Sequence, residues 1–166
     1  MHLLAERVIL EGLVSLGCLT GDVDEMLAKR IGFIFMPHGL GHLIGLDTHD
    51  VGGYLPHNPQ RNPAPGLANV RTARILEAGN MITLEPGCYF RDFLFNGEVP
   101  KEFFEFDLKY LNIDKIKEYQ AEISGVRIED NVLITETGHE NLTHDIPRTV
   151  SQIEACMAGN ENWREC

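Results

Sequence analysis

Three histidines lie within one glycine-rich stretch, MPHGLGHLIGLDTHDVGG, which begins at Met36. These histidines are His38, His42 and His49. Neutral imidazole is a common ligand for Zn and Mn and titrates near neutral pH, so the three side chains could divide metal binding and proton transfer between them. Three unrelated structural histidines are the alternative. Their closeness, three within twelve residues and among glycines, favours a functional site.

The residues between His38 and His42 argue against one metal motif. Two histidines four residues apart can share a helix face, as in the zinc peptidase pattern H-E-x-x-H. Here the intervening residues are Gly39, Leu40 and Gly41, so the glutamate of that pattern is missing, and each glycine would cost a helix about 1 kcal/mol. Glycine instead permits tight turns and close backbone approach. The stretch therefore predicts a strand-turn-strand wall whose histidines face a small cavity.

Two glutamates and two arginines complete the set of candidate residues. Glu85 ends the apolar run 81–85, where a carboxylate is costly to bury without a cation or hydrogen bonds. Glu129 and Arg127 share the polar face of the alternating segment GVRIEDNVLIT. Arg71 and Arg127 could hold a carboxylate, because a guanidinium presents a planar pair of donors. Solvent exposure and ordinary surface ion pairs are the alternatives for these four side chains.

The composition limits the partners of such a site. The 166 residues, 43% of them hydrophobic, are enough for one globular domain, and 14 basic against 25 acidic residues give a formal charge of -11. This charge argues against nucleic acid and anionic membranes, which bind mainly basic residues. The substrate is therefore expected to be small, or to meet a local positive region. The four widely spaced cysteines form no C-x-x-C pair, which argues against a zinc ribbon or a thioredoxin-type site and favours a reduced protein. The lack of a signal peptide and of a long apolar run predicts a cytoplasmic location.

The elements that must position these side chains follow from hydrophobic periodicity and from turn residues. Helices are predicted at 3–16, at 23–30, in the second half of 103–123 and at 151–158, the last with a capping box of Ser151 and Glu154. Strands are predicted at 31–35 and 81–85, a strand or hairpin at 125–135, and a long surface loop at 52–66. Alternation in 125–135 predicts one core face, made of Val126, Ile128, Val132 and Ile134.

Several motifs in order resemble the catalytic domain of the pita-bread metallopeptidases. They are HGLGHLIGLDTHDVG, RTAR, TLEPG, GVRIEDNVLIT and the late PRT-x-x-x-IEACMAG. The resemblance covers nearly the whole chain and is weakest over 91–122. It implies an α+β fold, in which residues 1–166 form the C-terminal part of the catalytic domain, with a curved, mostly antiparallel sheet and flanking helices. Within the family, the best match is to dipeptidases that hydrolyse Xaa-Pro dipeptides, which end in proline.

The resemblance also implies a site with two metal ions, Mn or alternatively Zn, held by two aspartates, one histidine and two glutamates. His42, Glu85 and Glu129 match the histidine and glutamate ligands. His38 and His49 match histidines that handle the substrate and the charge developing in the transition state. Arg71 and Arg127 match arginines near the substrate, and Arg71 is the better match for the residue that binds the proline carboxylate.

The chain departs from the family pattern upstream of His38. The family's two aspartate ligands come from an upstream strand with a D-x-G motif and a second Asp about ten residues later, and neither is present before His38. We therefore expect a C-terminal fragment that is catalytically incomplete by itself, since three of five ligands would hold a second ion weakly. A weak mononuclear His, Glu, Glu site remains chemically possible.

Two other functions fit the same residues. One is an aminopeptidase that shares the site but cleaves longer peptides. The loop 52–66 and Arg71 distinguish the two enzymes, because a dipeptidase must close the pocket behind proline. The other is a non-catalytic binding module of the same shape. Missing upstream strands would also leave sheet edges unpaired, which predicts a homo-oligomer.

Overall fold

The computed structural model describes residues 1–91 and 108–165 as helices packed beside short antiparallel strands. The helices are α1 His2–Ser15, α2 Val23–Ala28, α3 Gly32–Phe35, α4 Ile113–Glu122 and α5 Val150–Met157. The strands are β1 Met81–Leu84, β2 Gly87–Tyr89, β3 Gly125–Arg127, β4 Asp130–Ile134 and β5 His139–Asn141. Three-residue 3-10 helices lie at Leu67–Asn69, Leu108–Tyr110 and Trp163–Glu165. The first part of the segment predicted at 103–123, up to residue 107, lies outside the described residues.

The first two predicted helices are confirmed, with ends that the sequence explains. Helix α1 stops before Gly17, which has a φ of 73°, a conformation that glycine adopts at little cost. Helix α2 begins after Asp22, whose side chain accepts a hydrogen bond from the backbone N–H of Glu25. Both helices pack into the larger hydrophobic core, which includes Leu10, Leu13, Cys18, Met26, Phe35, Tyr110 and Ile116.

The strand predicted at 31–35 is wrong, because this segment forms the short helix α3. Ile31, Ile34 and Phe35 are buried, as predicted, but they pack from a helical turn. Five apolar residues are too few for periodicity to separate a buried strand from a buried helix. Packing decides the conformation: a Cβ on Gly32 would lie 3.2 Å from the Cβ of Glu6, so α3 packs closely against α1.

The strands form a long antiparallel ribbon in two sections. In the first section β1 pairs with β4, from Met81 opposite Leu133 to Leu84 opposite Asp130, and β5 adds to the outer side of β4. In the second section β2 pairs with β3, with Gly87 opposite Arg127. The predicted strand 125–135 is therefore two strands, β3 and β4, in different sheets. This break between the sections is the feature that positions the site.

The single core face predicted for residues 125–135 is only half right. Val132 is 4% exposed, and Ile134 packs against the same small core. Val126 and Ile128 share their parity but are 56% and 48% exposed among the described residues. Alternation correctly assigned the faces, but burial also requires an element that covers the face.

The C-terminal helices follow the predicted positions with one correction. Helix α4 begins after Asn112, which caps it through the backbone N–H of Lys115. Helix α5 has a capping box made by Thr149 and Gln152, two residues before the predicted pair. Thr149 is the N-cap residue of α5 and has an extended backbone, so Ser151 lies inside the first turn of the helix.

A buried ion pair holds α1 against the residues before α3. Glu6 is fully buried and accepts hydrogen bonds from both terminal nitrogens of Arg30, whose Nε donates to Pro65 O at 3.0 Å. Glu6→Gln keeps the shape but leaves a buried guanidinium without its counter-charge. We expect the free energy of unfolding in urea to fall by about 3 kcal/mol. Glu11→Gln, at an exposed pair with Arg7 of 3.9 Å, should change it by less than about 0.5 kcal/mol, and equal effects would contradict the prediction.

Two helices carry apolar side chains that the described residues leave exposed. On α1 and its cap these are Met1, Leu4 and Val8, and on α5 they are Val150, Ile153 and Met157. Such surfaces favour association, so the homo-oligomer stays a prediction. Sedimentation at micromolar concentration should show a dimer or larger species, and a well-dispersed monomer of 18.6 kDa would contradict it. Among the described helices, none is long and apolar enough to cross a membrane.

Candidate metal centre and substrate cavity

The break in the strand ribbon places the two candidate glutamates opposite each other. Leu84 is the last residue of β1 and faces Asp130, the first residue of β4. Antiparallel register therefore sets Glu85 across from Glu129, with both side chains on the face that also carries Thr83. Thr83 donates a hydrogen bond from Oγ1 to Glu85 Oε1 at 2.9 Å, which fixes the orientation of this carboxylate.

The histidine-rich stretch lies along the free side of β1. The backbone N–H groups of Thr83 and Glu85 donate to the carbonyls of His42 and Leu40, at 2.9 Å and 2.7 Å. A Cβ on Gly41 would lie 1.9 Å from Thr83 O, so only glycine allows this approach. The predicted wall of closely packed backbone is therefore present, although residues 38–42 form no regular strand.

His42 and Glu85 meet in an arrangement suited to a cation. The ring Nδ1 of His42 lies 2.9 Å from Leu43 O, and a carbonyl can only accept, so Nδ1 carries the proton. The lone pair on Nε2 then faces Glu85 Oε1 at 3.3 Å. Both side chains are buried. Two such buried atoms turned toward each other are satisfied by a shared proton or by a metal ion bound to both.

Glu129 completes a three-residue cluster with His42 and Glu85. One possible ligand atom from each of these residues lies within 4.8 Å of the others, and within 1–91 and 108–165 no further group of this kind occurs. One imidazole and two carboxylates form a donor set suited to Mn and Zn. Glu129 is exposed, so one side of the cluster is open.

A chain of hydrogen bonds joins Arg127 to His38 through Tyr89. Arg127 Nε donates to Tyr89 Oη at 2.8 Å, and Tyr89 Oη lies 3.0 Å from His38 Nε2. His38 Nδ1 lies 2.8 Å from Gly39 O and must donate to it, so Nε2 accepts the tyrosine proton. The hydrogen bond to Tyr89 raises the pKa of Arg127 above its ordinary value. Arg127 also lies 3.6 Å from Glu85, so it balances the charge of this carboxylate.

These side chains line a cavity of about 520 Å³. Its lining includes His38, His42, His49, Arg71, Glu85 and Arg127, and also Arg61 and Asn69. Glu129 lies beside the cavity, in the cluster with His42 and Glu85. The lining carries three arginines and one glutamate, so the cavity is locally positive although the whole chain is acidic. The seven candidate residues, which span 92 positions of sequence from His38 to Glu129, thus come together.

The remaining candidates differ in how firmly they are held. The ring of His49 packs edge-on against His42, with centroids 4.4 Å apart, although His49 is exposed. Arg71 is exposed, and its guanidinium has neither a hydrogen bond nor an ion pair to any described residue. A charged side chain held in a cavity without a partner is available for an anion.

Sequence reasoning missed Tyr89, Thr83 and Arg61. Tyr89 has the same strand parity as Glu85, a signal that was available in the EPG-x-YF stretch. Gly87 lies between them and has no Cβ, so the tyrosine ring can lie across it and reach His38. Arg61 lies in the loop 52–66, where no periodicity indicates which way a side chain points.

Cys88 of β2 lies on the opposite side of the strand from Tyr89 and packs against the larger core. Burial raises the pKa of its thiol from 9.0 to about 11, and Cys18 adds to the shift. At pH 8 we therefore expect iodoacetamide to alkylate Cys88 about 100-fold more slowly in the folded chain than in urea, as followed by peptide mass spectrometry. Because the folded chain holds this proton more tightly, the contribution of Cys88 to the free energy of unfolding is fully present below pH 9.0. It is lost as the pH rises toward about 11. Equal labelling rates would contradict the burial.

The fold is that of a family of metallopeptidases. The model of metallopeptidase family M24 matches residues 3–136, and the chain belongs to this family. The α+β fold predicted from the resemblance is confirmed, since aminopeptidase P from E. coli with the inhibitor Pro-Leu is similar in structure. The two share a TM-score of 0.60 and 37% identity, over 95% of this chain and 28% of that one.

The curated relatives include enzymes named for peptide bonds next to proline. The Xaa-Pro dipeptidases of Rattus norvegicus and Homo sapiens are 48% and 46% identical to this chain over 159 residues. The match covers 96% of this chain and 31% of each relative. The chain thus spans about a third of the length of the dipeptidases that it matches.

Proposed function

We propose that this chain supplies the histidine and glutamate half of the metal centre of an Xaa-Pro dipeptidase, which hydrolyses dipeptides ending in proline. The observation that carries this proposal is the cluster of His42, Glu85 and Glu129, within 4.8 Å of one another beside a cavity lined with arginines. The similarity to the rat and human dipeptidases supports the choice of substrate.

Manganese is the proposed metal, with zinc as the alternative. His42 would bind through Nε2, because Nδ1 is committed to Leu43 O, and Glu85 and Glu129 would each bind through a carboxylate oxygen. A bound divalent ion supplies Lewis acidity, which polarises a peptide carbonyl and acidifies water. The fit rests on the donor set, since His42 Nε2 and the carboxylates of Glu85 and Glu129 converge within 4.8 Å of one another.

The other residues of the cavity would bind and orient the peptide. Arg71 would pair with the proline carboxylate, since its guanidinium has no partner among the described residues. His38 has a fixed tautomer, in which Nε2 accepts a hydrogen bond from Tyr89, so it would accept the same hydrogen bond from a substrate N–H when Tyr89 turns away. His49 lies against His42 and would stabilise negative charge that develops on the substrate carbonyl.

The proposal requires two further ligands, the aspartates of the family pattern, from polypeptide outside these 166 residues. The chain alone would then hold metal weakly and hydrolyse peptides poorly or not at all. The free thiols of Cys18, Cys88 and Cys156 support a reducing compartment such as the cytoplasm for the working enzyme.

The test is to mix this chain with the upstream half of a dipeptidase catalytic domain in the presence of Mn²⁺. We expect Gly-Pro to be cleaved by the mixture and by neither component alone. Preference for Gly-Pro-Gly over Gly-Pro would instead assign an aminopeptidase. Association of the two halves without cleavage of either peptide would contradict the enzyme and assign a binding module.

A further inference from the structure

We propose that Arg61 is a specificity-determining residue of the cavity, which holds Arg71 in place and completes with it a two-arginine clamp for a free C-terminal carboxylate. The inference rests on the proposed function and extends it, because it explains how a pocket for dipeptides is closed. Neither charge nor spacing pointed to Arg61 in the sequence. Its contacts in the folded chain do.

Arg61 binds the backbone that leads into Arg71. Its Nη1 donates to Ala68 O at 2.8 Å and to Val70 O at 2.7 Å. The guanidinium also lies over the ring of Tyr54, 4.0 Å from the ring centroid, and Tyr54 Oη donates to Val70 O at 2.8 Å. One side chain thus joins two distant parts of the loop, and the carbonyl next to Arg71 accepts two hydrogen bonds.

The same backbone is packed tightly against the histidine stretch. A Cβ on Gly39 would lie 2.9 Å from Val70 Cα, and a Cβ on Gly53 would overlap Arg71 O. Asn69 donates from Nδ2 to Pro37 O at 3.0 Å, directly before His38. The main chain at Arg71 is therefore held from both sides, and Arg61 supplies the hydrogen bonds on the side of the loop.

Arg61 also has charge to offer the cavity. It lines the cavity together with Arg71, and its Nε and Nη2 make no hydrogen bond to a described residue. Two guanidiniums with free donors on the lining of one cavity suit a carboxylate, which accepts paired hydrogen bonds. The carboxylate bound there would be the C-terminus of the substrate. A longer peptide would place an uncharged peptide group beside the two arginines instead.

The test compares two ligands that differ only at the C-terminus, Gly-Pro and glycyl-prolinamide, in NMR titrations of the whole chain. We expect the wild type to bind Gly-Pro at least about tenfold more tightly than the amide. Arg61→Met and Arg71→Met should each remove most of this preference, because each should weaken the binding of Gly-Pro much more than the binding of the amide. Arg61→Lys keeps the charge but cannot bond both carbonyls and stack, so it should lose part of the preference.

Arg164→Met is the matched control, because Arg164 also stacks on an aromatic ring, that of Trp163 at 4.4 Å, but lies outside the cavity. It should keep the full preference for Gly-Pro. If Arg61→Met weakened the binding of both ligands equally, Arg61 would have only a structural role, and the proposal would be overturned. It would also be overturned if Arg71→Met removed the preference for Gly-Pro and Arg61→Met retained it. Failure of the wild type to bind either peptide would overturn the clamp, whereas the proposed function is tested separately by the cleavage of Gly-Pro in the mixture of the two halves.

Discussion

Glu85→Gln is expected to lower the affinity of this chain for Mn²⁺ or Zn²⁺ by more than about 100-fold. The glutamine amide keeps the size of the carboxylate but removes its charge, and its N–H can donate to the free Nε2 of His42, 3.3 Å away. The hydrogen bond from Thr83 can still be accepted by the amide oxygen. The variant therefore satisfies the buried groups without an ion, and the fold should tolerate it.

The measurement is metal titration by calorimetry, combined with thermal unfolding. Metal that binds only the folded state raises its stability, so the metal-dependent rise in melting temperature should disappear in Glu85→Gln. Glu77→Gln is the matched control, since Glu77 forms an exposed pair with Arg74, 3.1 Å apart, outside the cluster. Unchanged affinity in Glu85→Gln would show that Glu85 is not a ligand.

Gly41→Ala is expected to have the largest effect on stability, lowering the free energy of unfolding by more than about 3 kcal/mol. The added methyl group would lie 1.9 Å from Thr83 O and 2.8 Å from Thr83 C. Both atoms belong to the backbone of β1, so the clash cannot be relieved by turning a side chain. The backbone hydrogen bonds from Thr83 and Glu85 to the histidine stretch would have to lengthen or break.

Gly12→Ala adds the same methyl group but is expected to raise the free energy of unfolding. Gly12 lies within α1, and a Cβ there meets no atom within 4 Å, so alanine should stabilise the helix by up to about 1 kcal/mol. Urea unfolding of both variants measures the difference. If Gly41→Ala were as stable as the wild type, the close contact between the histidine stretch and β1 would be wrong. Its metal affinity should fall as well, since His42 and Glu85 are aligned by this contact.

The sequence by itself determined the elements whose signals are local. The apolar spacing of α1, the Asp22 cap of α2 and the apolar run of β1 are short-range features, and the structure agrees with each. The same holds for the kind of residues at the site. Histidines among glycines and a carboxylate at the end of an apolar strand are unusual enough in composition to indicate a metal centre, and the ordered motifs indicated the family.

Tertiary structure alone decided the features that depend on partners distant in sequence. Residues 31–35 are helical because α1 packs against Gly32, and Val126 is exposed although its strand parity matches that of Val132. The same reason applies at the site. His42 lies close to Glu85 only because Gly41 allows the two backbones to meet. The side chain of Arg61 is directed to the cavity by its hydrogen bonds to carbonyls seven and nine residues along the chain. Local patterns record which side chains a segment carries, whereas register, coverage and the direction of a loop side chain depend on the free energy of the assembled chain.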